Sequence, residues 1–83
     1  MESRSRTEIV SHLLNSAKGE ATKTKIMYTT FLSYKQVHEY LSILIEDNLI
    51  EYIDGTQTYK TTEKGLHFLK MYNKIRKLLP QLL

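Results

Sequence analysis

A mostly helical α+β fold is predicted for this 83-residue chain by three observations. Apolar residues recur at helical spacing in four stretches, and an Asp-Gly pair splits a run of strand-forming residues. Helix-starting residues stand at the heads of the stretches. A chain of 9.8 kDa holds one hydrophobic core, in which roughly two-thirds of the extended-chain surface is buried. With 41% hydrophobic and 25% charged residues it has the make-up of an ordinary soluble globular protein. No apolar run approaches the roughly 20 residues that cross a bilayer, and residues 1–6 lack the apolar part of a secretory leader. Cysteine is absent, which excludes disulfides, thiolate metal sites and cysteine nucleophiles and fits a cytoplasmic protein.

The first helix is expected over about residues 7–17, where Ile9, Val10, Leu13, Leu14 and Ala17 form a stripe. Ser5 or Thr7 serves as its N-cap, and Lys18-Gly19 gives the cation-then-glycine ending of a helix C-terminus. A short second helix over roughly residues 23–29 buries Ile26 and Met27, with the β-branched pair Thr29-Thr30 interrupting it. Ser33 with Gln36 three residues on makes a capping box for a third helix from Tyr34 to about Asp47, with Val37, Leu41, Leu44 and Ile45 facing inward. Residues 49–53 and 58–61 flank Asp54-Gly55-Thr56-Gln57 as a β-hairpin. Thr62 and Glu63 open a last helix carrying Leu66, Phe68, Leu69, Tyr72, Ile75 and Leu79, and Pro80 stops it.

Helix, helix, helix, two-stranded hairpin, helix is the order of a winged helix-turn-helix, here with an added C-terminal dimerisation helix. In that arrangement the second helix of the helix-turn-helix enters a DNA major groove and the hairpin reaches the flanking backbone or minor groove. The expected organisation is a DNA-binding winged domain over residues 5–62 and a coiled-coil-like dimerisation helix over residues 63–83.

Four segments carry a family resemblance: Thr24-Lys25-Ile26-Met27-Tyr28, Leu32-Ser33-Tyr34, Tyr40-Leu41 with Leu44, and Tyr59-Lys60-Thr61-Thr62-Glu63-Lys64-Gly65. The last is the most specific, a wing strand running into a helix that begins Thr-Glu-Lys-Gly. Residues 24–69 resemble the small winged-helix DNA-binding proteins of archaea, the group of abundant ten-kilodalton chromatin-associated dimers and related transcriptional regulators. The resemblance implies a winged helix, a dimer made through the C-terminal helix and binding to duplex DNA. Asn48 departs from the pattern, standing where such sequences usually have Gly before Leu-Ile; asparagine is the residue that next best tolerates left-handed geometry.

Charge is unevenly spread along the chain. Residues 1–63 carry seven Lys/Arg against nine Asp/Glu, while residues 64–83 carry five cations and no acid. Residues 18–35 hold four lysines against Glu20 alone, and acids gather at Glu46, Asp47, Glu51 and Asp54. The basic regions suit an anionic partner, though a solvated charged surface would look the same.

On a wheel of about 100° per residue, Lys35, Glu39, Ser42 and Glu46 face outward on the third helix, with Gln36, His38 and Ile43 on its flanks. The N-terminal half of such a helix enters the groove, so Ser33, Tyr34, Lys35, Gln36 and Glu39 are the expected readers. Lysine reaches guanine O6/N7 or a phosphate, glutamine pairs with adenine N6/N7, and the Ser33 hydroxyl suits a phosphate. Glu39 is repelled by phosphates unless it accepts from a cytosine amine. Tyr34 sits at the edge of the inward stripe, where packing on the second helix competes with base reading. Tyr28 and Phe31 are read as core or core-rim residues, and Tyr40 flanks the stripe.

Lys23, Thr24 and Lys25 at the second helix N-terminus are expected to hold phosphates. Arg4 and Arg6 form a short basic arm, either laid along DNA or idle. In the wing only Gln57 and Lys60 are suitable donors, so the wing is expected to contribute less than the helices.

Along the last helix Phe68, Tyr72, Ile75, Leu79 and Leu82 recur at heptad spacing, the seam of a coiled coil, with Leu66 and Leu69 left to pack on the winged domain. A homodimer is therefore expected, with Lys70, Lys74, Arg76 and Lys77 on its solvent side. His12, His38 and His67 lie on three different helices, and Gly19, Gly55 and Gly65 stand alone, so neither a metal site nor a phosphate loop is indicated. No enzyme activity, cofactor, small-molecule ligand or membrane partner is expected. Two functions stand: a homodimeric duplex-DNA binder, either a transcriptional regulator or a nucleoid-associated protein, or a winged-helix module that binds protein instead.

Overall fold

The computed structural model describes residues 4–79. Four helices, α1 (Arg6–Ser16), α2 (Lys23–Thr30), α3 (Tyr34–Glu46) and α4 (Glu63–Leu78), surround an antiparallel pair, β1 (Ile50–Ile53) and β2 (Thr58–Thr61). This is the mostly helical winged helix-turn-helix order that the sequence predicts, with the C-terminal helix in place.

Each helix starts at a hydroxyl that satisfies an amide left without an intrahelical partner. Ser5 Oγ accepts from the Glu8 amide at 3.1 Å, Thr22 Oγ1 from Lys25 at 3.2 Å, and Thr62 Oγ1 from Gly65 at 3.1 Å. At α3 the capping box is complete: Ser33 Oγ accepts from the Gln36 amide, and the Ser33 amide donates to Gln36 Oε1.

The helix ends correct two expectations. Left-handed backbone after α1 falls on Glu20 (φ 77°) and not on Gly19. Thr30 does not interrupt α2: its hydroxyl donates to the Ile26 carbonyl at 2.7 Å inside the helix, and α2 ends only when Phe31 turns left-handed at φ 58°. Asn48 (φ 63°) makes the left-handed turn after α3, as its residue type allowed.

In the hairpin Ile50 faces Thr61 and Ile53 faces Thr58. Asp54-Gly55 lies in the connecting loop, but the left-handed residue there is Gln57 (φ 54°). The sequence did not reveal a third strand position. Ala21, in the α1–α2 loop, exchanges both backbone hydrogen bonds with Tyr59, at 2.9 and 2.8 Å. This bridge fastens to the helices a hairpin that alone would be marginal.

The core joins Leu13, Leu14 and Ala17 of α1 and its end, Ile26 of α2, Leu32 of the turn, Val37, Leu41 and Leu44 of α3, Ile50 of β1 and Leu69 of α4. Thr61 is buried among them, its hydroxyl donating to the Leu14 carbonyl at 2.6 Å. Gly65 explains the glycine of Thr-Glu-Lys-Gly: a Cβ there would run into the Leu49 carbonyl oxygen and the Thr61 side chain, so α4 closes on the sheet only without one. Five apolar residues depart from expectation. Ile45 and Leu66 are exposed, as are Tyr28 and Phe31, because Ile26, Thr30 and Leu32 already fill the space beneath α2 and its turn. Met27 is only half-buried.

Candidate nucleic-acid interface

The second and third helices form a surface whose inner side is the core and whose outer side carries polar side chains beside the exposed Tyr28, Phe31, Tyr34 and Ile43. Val37, Leu41 and Leu44 hold α3 down, leaving Lys35, Gln36, Glu39 and Ser42 exposed on it. Thr24 and Lys25 are exposed at the start of α2. No Asp or Glu occurs between Glu20 and Glu39, so this surface carries its lysines without acidic neighbours in sequence.

Several expected site residues already have partners within the chain. Lys23 Nζ lies 3.1 Å from His38 Nδ1, an ammonium donating to an imidazole nitrogen, and 4.4 Å from the centre of the Tyr34 ring. Lys23 thereby bridges the two helices, and Tyr34 touches α2 through it while remaining 65% exposed. Ser33 and Gln36 are spent on each other in the capping box, so a base contact by Gln36 requires the cap to open. Lys35 and Glu39 are the expected readers left exposed with no such tie among the described hydrogen bonds.

The two arginines of the expected basic arm part company. Arg4 Nη1 sits 3.2 Å from His12 Nδ1 on α1, whereas Arg6 lines a shallow cleft with His38, Glu39, Ser42 and Ile43 of α3. Sequence reasoning missed this approach of Arg6 to α3, because it joins residues more than thirty positions apart and has no local signature. At the far end of α3, Lys64 Nζ donates to the Asp47 carbonyl at 2.8 Å, neutralising the negative end of that helix. Gln57 is exposed at the hairpin tip, and Lys60 on β2 stands opposite Glu51 in the register. Among the described residues no group of three or more His, Asp or Glu is placed to hold a metal ion, and no helix is long and apolar enough to cross a membrane.

The family model for winged helix-turn-helix proteins matches residues 3–79. The chain belongs to the winged helix-turn-helix family. The crystal structure of Sso10a-2, a DNA-binding protein from Sulfolobus solfataricus, is similar to it with a TM-score of 0.81. The two share 22% sequence identity over 95% of this chain and 85% of that one, a likeness of fold. No curated protein matches the sequence.

In winged helix-turn-helix terms α3 is the second helix of the helix-turn-helix and β1–β2 the wing, leaving α4 as the addition. Its inward face is Gly65, Leu69 and Tyr72. Tyr72 was expected in a seam between chains but is only 6% exposed, with its ring stacked on Phe68 at 6.2 Å. The Arg76 guanidinium stands 5.8 Å from the same ring centre. Phe68 is half-buried, while Ile75 and Leu79 are exposed; Leu82 lies outside the described residues, as does Pro80. Met71 and Leu78, absent from the expected seam, are exposed too. With the half-buried Phe68 and with Ile75 they make a stripe at spacings of three, four and three residues, rotated from the expected one because Leu69 and Tyr72 are buried on the inward face.

Proposed function

We propose that this winged helix-turn-helix chain binds duplex DNA as a homodimer, acting as a transcriptional regulator or nucleoid-associated protein. The observation that carries the DNA reading is α3 itself. It is fixed by a complete capping box and by Val37, Leu41 and Leu44, and it holds Lys35 outward one turn before Glu39, at the end of a run from Glu20 to Glu39 that has no acid between them. Lys25 and Thr24 at the α2 N-terminus supply phosphate contacts, and Arg6 adds one beside α3. Ser33 and Tyr34 border the groove-facing end, Lys23 is released from His38 to reach the backbone, and Gln57 and Lys60 make the smaller wing contribution. That Sso10a-2, a protein of like fold, is a DNA-binding protein supports the same reading.

The dimer is supported by the exposed residues Met71, Ile75 and Leu78, which continue a stripe from the half-buried Phe68 and which the chain's own core leaves uncovered. A two-fold pair presents two α3 helices and suits a palindromic or pseudo-palindromic site.

The test is the affinity for duplex DNA against salt. A steep linear fall of log affinity with log salt is expected from counterion release. Lys35→Ala weakens binding by about 1–3 kcal/mol with relaxed sequence preference if it reads a base, or evenly across sequences if it holds a phosphate. Absence of duplex binding at low salt favours the protein-binding alternative. Ile75→Glu gives a monomer in sedimentation with weaker DNA affinity, and a chain already monomeric at high micromolar concentration removes the dimer. Genome-wide occupancy separates regulation at a few sites from architectural coverage.

A further inference from the structure

Three large aromatic side chains within residues 28–34 have no place in the core. Tyr28 is 71% exposed, Phe31 88% and Tyr34 65%, and they bracket the helix-turn-helix from the last turn of α2 to the first residue of α3. Single exposed apolar residues are ordinary, but three large rings exposed along one short helix-turn-helix segment are a surface for something. Their exposure is built in. Ile26 and Thr30 set the inward face of α2, opposite Tyr28. The turn buries Leu32 and leaves Phe31, in left-handed backbone, outside.

The charge around them names the partner. Lys23, Lys25 and Lys35 lie in the same acid-free stretch, and the Lys23 ammonium already sits over the Tyr34 ring. The partner is therefore anionic and offers planar faces to rings. Intact duplex DNA offers phosphates but not base faces, since its bases stack on one another and show only their edges in the grooves. Unpaired bases offer both, and aromatic rings set among cations are the way proteins hold them.

We infer that the α2–turn–α3 surface also binds single-stranded DNA, with Tyr28, Phe31 and Tyr34 as stacking platforms for unpaired bases and the three lysines on the phosphates. A base that stacks on Tyr34 displaces Lys23 from the ring and hands its ammonium to a phosphate. This inference rests on the reading that the same surface meets DNA, and the two fail separately.

The experiment is fluorescence anisotropy at low salt with a labelled oligothymidine, and with the same strand annealed to its complement. It compares the unmodified chain with the double variant Tyr28→Ala, Phe31→Gly. Glycine accepts the left-handed backbone of residue 31, and thermal melting by circular dichroism checks that the variant stays folded. The unmodified chain is expected to bind the single strand, and the variant to lose about tenfold or more of that affinity while its duplex affinity stays within about threefold. Duplex binding without single-strand binding overturns this inference and leaves the duplex reading standing. Equal losses on both forms overturn it too, since the rings then serve the duplex. Ring-dependent binding of the single strand alone upholds it and defeats the duplex reading. Binding of neither form ends both and makes the surface a protein-docking site.

Discussion

α3 and α4 are both amphipathic helices begun by a hydroxyl cap, yet they relate to the rest of the chain differently. The apolar stripe of α3, Val37, Leu41 and Leu44, is used up inside its own domain, and what faces out is mostly polar. α4 carries two stripes. Gly65, Leu69 and Tyr72 face in, whereas Met71, Ile75 and Leu78 face out beside a cleft lined by Thr7, Phe68 and Ile75. The difference teaches that helical periodicity tells which residues share a face, while only the three-dimensional packing tells which face the chain itself consumes.

The sharpest way to break the comparison is to remove one buried leucine from each helix. Leu41→Ala and Leu69→Ala should each cost about 2–5 kcal/mol in urea denaturation, because both side chains are buried in one core. A cost under about 1 kcal/mol for Leu69→Ala would make α4 an appendage, unlike α3. A smaller effect belongs to the entry of α4. Gly65→Ala forces a methyl group against the Leu49 carbonyl and Thr61 and should destabilise the chain by about 1–3 kcal/mol, read from the same titration. An unchanged midpoint would show that α4 can lift off the sheet without loss. The smallest effects lie at the entry of α3. Ser33→Ala should cost about 1 kcal/mol by removing the cap. Phe31→Gly should stabilise by a few tenths to about 1 kcal/mol by relieving left-handed backbone at a bulky residue. A melting temperature lowered by Phe31→Gly would mean that the ring, though exposed, contributes to the fold.

The elements were legible in the sequence because each has a local cause. The Ser33–Gln36 box, the Thr62 cap, the left-handed Asn48 and the inward stripe of α3 depend on residues a few positions apart, and the structure has them as expected. What the sequence hid is set by packing between elements. Tyr28 and Phe31 look like core residues until Leu32 and Ile26 are seen to fill the space. The rotation of the α4 stripe depends on the burial of Leu69 and Tyr72 against the rest of the chain. The pairing of Lys23 with His38, fifteen positions apart in sequence, has no periodic signal at all. Of the residues proposed to face DNA, Lys35 and Glu39 are readable as exposed from the wheel alone. Ser33 and Gln36 were readable as a cap, but one pair of side chains cannot at once close that cap and make full base or phosphate contacts.

The bridge between Ala21 and Tyr59 has a consequence for how the wing comes and goes. Two amide hydrogen bonds from the α1–α2 loop, a third from Thr61 to the Ala17 carbonyl at 2.9 Å and the Thr61 hydroxyl on Leu14 tie β2 to the end of α1 along its length. The inner strand of the wing cannot detach while α1 stays folded, so the amide protons of Ala21, Tyr59 and Thr61 exchange with water only when the whole domain opens. The tip around Asp54–Gln57 has no such ties to α1 among the described bonds and opens on its own. The wing is thus a rigid stem with a loose end, and any adjustment it makes to a bound partner is confined to the few residues beyond Ile53.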